Sequence, residues 1–137
     1  MALRYLLDTN TISYAIKGDP AQVRVRLKAL RKSVVALSVF SQAELLYGLA
    51  RKPVSTRLRE AVEGFLWNFE VLPWDSAAAI SYGDLRAGQE RKGRPLIHED
   101  LMIAAHALSL GLTLVTHDHV FAFVDGLRTE DWTVAGD

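Results

Sequence analysis

Four carboxylates stand where chemistry could be done. Asp8 ends the apolar run Tyr5-Leu6-Leu7 and is followed by three small residues, Thr9-Asn10-Thr11. Glu44 comes after the apolar segment 34–40, Asp100 precedes the apolar segment 101–110, and Asp118 follows another at 112–115. A buried strand that ends in an acid delivers that acid to the edge of a sheet. If the fold gathers all four they repel, each pair costing on the order of 3 kcal/mol at about 5 Å and an effective dielectric near 20. A cation offsets that cost, and hard carboxylate oxygens suit Mg²⁺ or Mn²⁺ rather than zinc. Such a site can activate water and stabilise an in-line displacement at phosphorus.

Each acid alone also has an ordinary local role. Asp8 before Thr-Asn is turn or cap chemistry. Ser41-Gln42-Ala43-Glu44 fits a capping box, which would spend Glu44 on a helix N-terminus. Asp100, with Glu99 beside it, could simply oppose a helix dipole. Asp118 could be a turn residue after Thr116-His117. It is their conjunction that points to a metal site. The histidines His98, His106, His117 and His119 form a rival set for zinc. On an extended segment, though, His117 and His119 share one face with Asp118 on the other, and His106 lies well round a helix from Asp100. His98 or His117 is better placed as a supporting or substrate-contacting group near the acids.

The elements that must position these residues alternate between strand and helix. Segment 3–7 reads as a buried strand, and Thr9 or Asn10 can cap a helix that Gly18-Asp19-Pro20 closes. A basic helix follows over 21–32, then a β-branched, apolar strand over 34–40. A helix over 41–52 stops at Pro53. Leu58, Val62, Phe65, Leu66 and Phe69 then make one apolar stripe, read as a core-facing helix over 55–69. Segment 71–74 predicts a third strand, and Asp75 or Ser76 starts an alanine-rich helix to about Arg91. Lys92-Gly93-Arg94-Pro95 is a loop, 100–110 a helix closed by Gly111, and 112–116 a strand. The tail around 132–134 reads as a last edge strand. This alternation predicts an α/β fold with a mostly parallel sheet, in which ligands bind outside the carboxyl ends of the strands.

The totals bound the rest. The 137 residues, half of them hydrophobic, predict one domain spanning 1–137 with a real core, and argue against disorder. No apolar run reaches the roughly 18–20 residues of a membrane span. The start lacks a secretory layout, and there is no cysteine, so a cytoplasmic address is expected. Net charge is zero, but residues 1–59 carry eleven Lys/Arg against three acids, a surplus of +8 balanced by −8 in the remainder. Such a split can give a basic face suited to phosphates; single charge runs are more often solvated helix faces.

The chain resembles the PIN-domain ribonucleases, specifically the VapC toxins of toxin–antitoxin pairs. The likeness rests on Leu6-Leu7-Asp8-Thr9-Asn10, on the stretch 38–48 around Glu44, on Asp100-Leu101-Met102-Ile103-Ala104-Ala105-His106-Ala107, and on Leu114-Val115-Thr116-His117-Asp118. Gly126-Leu127-Arg128 and Asp131-Trp132 resemble the usual ending. The resemblance implies an α/β/α sandwich around a mostly parallel sheet, with Asp8, Glu44, Asp100 and Asp118 as catalytic metal ligands. It implies Mg²⁺- or Mn²⁺-dependent hydrolysis of RNA that leaves a 5′-phosphate and a 3′-hydroxyl and inhibits translation and growth. It further implies a homodimer and a hetero-oligomer with a VapB-like antitoxin, whose C-terminal segment covers the site and through which alone DNA is met. Two positions depart from the pattern: Ile97 stands where a glycine is usual, and Glu99 adds a fifth acid. Thr116 matches a supporting hydroxyl position.

The basic first half and the Arg91-Lys92-Gly93-Arg94 loop are the candidate RNA-contact surface. Two other readings use the same residues. In one, the domain is a non-catalytic regulatory module whose acids receive an arginine from an operator-bound partner. In the other, the acids serve a metal-dependent phosphatase or DNA nuclease. No base- or sugar-reading motif in the sequence separates RNA from DNA.

Overall fold

The computed structural model describes residues 2–134. Its central sheet is built from five short parallel strands: β1 (Tyr5–Leu7), β2 (Val35–Ser38), β3 (Glu70–Leu72), β4 (Thr113–Val115) and β5 (Thr129–Glu130), in the order β3-β2-β1-β4-β5. Six α-helices connect them: α1 (Thr9–Lys17), α2 (Ala21–Lys28), α3 (Val39–Ala50), α4 (Thr56–Asn68), α5 (Ser76–Arg91) and α6 (His98–Leu110).

β1 is the middle strand and buried on both faces, which explains its unbroken apolar run. Alternation along the strands sorts the core into two layers. Leu6, Ala36 and Leu114 point to one face, where Leu85 of α5 and Leu101, Ala104 and Ala105 of α6 cover them. Tyr5, Leu7, Val35, Leu37 and Val115 point to the other, against Ile12 and Ala15 of α1, Val23 of α2 and Phe65 of α4. The result is an α/β/α sandwich. The alanines of α6 allow its backbone to lie close to the sheet.

Local signals end α1 and α6 where expected. Gly18 and Gly111 take positive φ (74° and 67°) as left-handed caps of α1 and α6. Side chains cap four helix starts: Asp8 for α1, Ser38 for α3, Ser55 for α4 and Asp75 for α5. The α4 stripe is core in its second half, with Val62 buried and Phe65, Leu66 and Phe69 packed beneath it, whereas Leu58 remains 38% exposed.

Several boundaries differ from expectation. α2 ends at Lys28, and a 3₁₀ turn over Lys32–Val34 leads into β2. β2 stops at Ser38 because the Ser38 hydroxyl accepts from the Phe40 N–H and starts α3 two residues before Ser41. The edge strand expected around 132–134 lies instead at Thr129–Glu130. After Glu130 the chain turns inward, and the buried Trp132 ring meets Tyr5 edge-on at 5.3 Å. Among the described residues no helix is long and apolar enough to cross a membrane.

Candidate active site

In the strand order 3-2-1-4-5, the connections leave β1 toward β2 on one side, while β4 joins it on the other. The crevice at the carboxyl ends of β1 and β4 is therefore the topological switch point, the usual ligand position in open α/β sheets. Asp8 follows β1 there. Its N–H donates to the Val115 carbonyl at 3.0 Å, as does the Thr11 hydroxyl, so the two strand ends are pinned together. Asp8 Oδ1 accepts from the Thr11 N–H at 2.8 Å, giving this carboxylate a fixed direction as the α1 cap.

Asp118 lies just beyond β4. It caps the 3₁₀ turn His119–Phe123 through Oδ1 and the Val120 N–H, and its own N–H donates to the Thr116 hydroxyl. Glu44 stands on the second turn of α3. It is not the capping-box residue, since α3 begins at Val39 and Ser41 is already buried inside the helix. The Thr9 hydroxyl on α1 donates to Glu44 Oε1 and sits 3.0 Å from Ser41 Oγ. Asp100 occupies the first turn of α6, where the helix dipole favours an anion, and Glu99 precedes it in the same turn. Ile97 adopts an extended backbone before α6 (φ −66°), so this position makes no demand for glycine.

These residues meet. Asp8, Glu44, Glu99, Asp100 and Asp118 line one cleft of about 130 Å³, with Thr9, Asn10, Phe40, Ile103 and Phe121 between them. Their mutual repulsion registers on Asp100. Burial first, then the charges of Asp118, Glu99, Asp8 and Glu44, push its carboxyl up to about 6. Burial also raises Asp8, with Asp118 adding to it, against the lowering effect of hydrogen bonds from Thr116 and Thr11. Thr116 thus supports two acids at once. Among the described residues no three His, Asp or Glu side chains converge closely enough to chelate one ion unaided. An oxygen-only set at this spacing still fits a hard cation that keeps part of its water shell and takes one or two carboxylates.

The histidines divide differently from the sequence reading. His106 is buried, with Nδ1 2.8 Å from Ser38 Oγ and Nε2 3.0 Å from the Pro73 carbonyl, and belongs to the scaffold between α6 and β2. His98 Nδ1 pairs with the Tyr82 hydroxyl at 3.0 Å. His117 and His119 both border the acids, in a pocket they share with Asp8 and Asp118. Sequence reasoning missed Thr9 as a partner of Glu44; its signal was only a small polar residue after Asp8, equally suited to capping. It also missed Tyr14, which lines that same pocket.

The basic loop is partly committed elsewhere. Lys92 donates to the Phe123 carbonyl at 2.9 Å and pairs with Asp125 at 3.4 Å, while the Arg94 guanidinium lies 3.9 Å from the Phe123 ring centre. A larger cavity of about 470 Å³ beside Asp84, Gln89 and Lys92 shares no residue with the acidic cleft and gathers no comparable set of acids. The sequence-predicted acids therefore gather in the smaller cleft.

A scan against protein families matches the PIN domain over residues 5–127. The chain belongs to the PIN-domain family. The tRNA(fMet)-specific endonuclease VapC of Shigella flexneri is 42% identical over 132 residues, covering 96% of this chain and 99% of that protein. Among solved structures, this PIN domain is similar to the DNA-bound VapBC of Salmonella typhimurium (40% identity, TM-score 0.87, 95% of this chain and 98% of that one). It is also similar to VapBC2 of Rickettsia felis bound to a promoter DNA fragment (32% identity, TM-score 0.86, 96% and 99%). The expected sandwich and family are thus both found.

Proposed function

We propose that this PIN domain is the toxin of a toxin–antitoxin pair, a metal-dependent endoribonuclease that stops growth by cutting RNA. The observation that carries the reading is the gathering of Asp8, Glu44, Asp100 and Asp118, from four separate elements, in one cleft at the sheet's switch point. Its support from relatives is the near full-length similarity to VapC ribonucleases at 34–42% identity.

In this reading Asp8, Glu44 and Asp100 would hold Mg²⁺ or Mn²⁺, one or two of them directly and the rest through its water shell, and Asp118 would complete the set directly or through water. The bound cation would supply a Lewis acid that activates water and offsets charge developing on the phosphate. The chain's own residues do the positioning. Thr11 and Val115 fix Asp8, Thr9 holds Glu44, and Thr116 orders the turn that carries Asp118. The partner is a VapB-like antitoxin, with DNA reached through it, a reading supported by the DNA-bound VapBC complexes of Salmonella typhimurium and Rickettsia felis. An antitoxin arginine would find five carboxylates in the cleft. Transfer RNA is the substrate class to assay first, since two relatives at 42% and 41% identity are tRNA(fMet)-specific.

The test is cleavage of tRNA and other RNAs by purified protein in Mg²⁺ or Mn²⁺, with EDTA and Asp8→Asn as controls. Cutting that needs the metal and is lost in the variant is expected. Undiminished cutting by Asp8→Asn would overturn the site assignment. An inert wild type under both metals would favour the non-catalytic, partner-binding module.

A further inference from the structure

The acidic cleft has a neighbour of different character. Asp8, Asn10 and Asp118 line both the cleft and an adjoining pocket of about 390 Å³, whose remaining walls are Tyr14, His117 and His119. Three of its six lining side chains are thus aromatic rings, next to the acidic cleft. His117 is held in place, its Nδ1 lying 2.9 Å from Asp131 Oδ2 and 3.1 Å from Thr133 Oγ1. His119 opens the 3₁₀ turn that Asp118 caps, and its ring centre lies 5.8 Å from that of His117, tilted by 57°. Tyr14 comes from α1 and packs its other side on the core.

We propose that this pocket receives an unpaired base of the RNA next to the scissile phosphate, stacked on His119 between Tyr14 and His117. The proposal rests on the ribonuclease reading and assigns that site a base-binding subsite. The chemistry favours a base over a phosphate here. The pocket's lining holds no Lys or Arg to pair a phosphate, while the neutral π-face of a base finds aromatic surface. Single-stranded bases are commonly held by stacking on histidine and tyrosine rings. The open mouth selects for a splayed, single-stranded nucleotide, as a base inside a duplex could not enter.

Binding measured separately from cleavage tests it. A short fluorescein-labelled single-stranded RNA is titrated, by anisotropy in Mg²⁺, with protein carrying Asp8→Asn to suppress cutting. His119→Ala and His119→Phe are compared in that background. His119→Ala is expected to bind about tenfold more weakly, the size of one base–aromatic stack, and His119→Phe within about twofold of the parent. An abasic nucleotide walked along the RNA is expected to weaken the parent at one position and His119→Ala at none. Equal affinity of the Ala variant and the parent, a Phe variant as weak as Ala, or no RNA binding by the parent would each overturn the proposal. Cleavage by the otherwise wild-type chain, with and without His119→Ala, is scored in parallel. Metal-dependent cutting with no change in affinity leaves the ribonuclease standing and removes only the subsite.

Discussion

The Thr9 hydroxyl donates to the Glu44 carboxylate, joining the first turn of α1 to the second turn of α3 across 35 residues of sequence. Glu44 is therefore aimed into the cleft by a residue one position after Asp8. A hydrogen bond to a charged group contributes about 1.5–3 kcal/mol, and the part felt in the transition state sets the rate. Thr9→Val should cut RNA about tenfold more slowly, with Thr9→Ser close to wild type. Rates for both variants under identical metal concentration check this.

Asp8 has two roles that substitution can separate. Asparagine caps a helix about as well as aspartate, so Asp8→Asn should unfold no more easily than wild type at pH 7, having also shed a buried charge. Asp8→Ala loses the bond to the Thr11 N–H and should be about 1 kcal/mol less stable than Asp8→Asn. Both should be inactive. Urea unfolding together with the cleavage assay reads the two effects apart.

Asp100 gives the metal-free protein a pH dependence of definite sign. Its carboxyl is raised from 3.8 to about 6. Between those values the folded state holds more protons than the unfolded one, so this group makes stability fall as pH rises from about 4 to about 6. Asp100→Asn should flatten that fall and melt above wild type at pH 7 in EDTA, while losing cleavage. Adding Mg²⁺ should raise the melting temperature of wild type more than that of Asp100→Asn. Thermal melts at pH 4 and pH 7, with and without the metal, decide it.

His106 should matter to stability rather than to chemistry. It is 1% exposed and satisfies both Ser38 Oγ and the Pro73 carbonyl. His106→Leu leaves those two groups without their partner and should cost about 3 kcal/mol. Burial lowers the imidazole below its ordinary 6.5, so the unfolded state takes up the proton first, and stability should fall as pH drops through that range. Unfolding of wild type and His106→Leu at pH 5 and pH 7 should show this dependence only where the histidine is present.

Much of the fold is written locally. The unbroken run of β1, the left-handed caps at Gly18 and Gly111, and the Asp8 and Asp75 caps depend on residues within a few positions of each other. The strand–helix alternation that implied a parallel sheet is of the same kind. The errors fell where a local signal met a tertiary competitor. Ser41-x-x-Glu44 is a valid capping box, but Ser38, at the end of β2, starts the helix first and leaves Glu44 free for Thr9. The tail has the composition of an edge strand, but burying Trp132 against Tyr5 pulls it off the sheet.

The sequence by itself determined the alternation of elements, the acids at strand ends and helix starts, and the family likeness that tied them together. Periodicity, capping and spacing are properties of neighbouring residues, and a chain carries them unfolded or folded. Only the tertiary structure decided that the acids share one cleft, that Thr9 serves Glu44, that His106 is scaffold, and that Tyr14, His117 and His119 wall a second pocket. The physical reason is the parallel register. Pairing β1 with β2 and with β4 places their carboxyl ends side by side, and so brings Asp8, Glu44 and Asp118 to one crevice from positions no local rule connects.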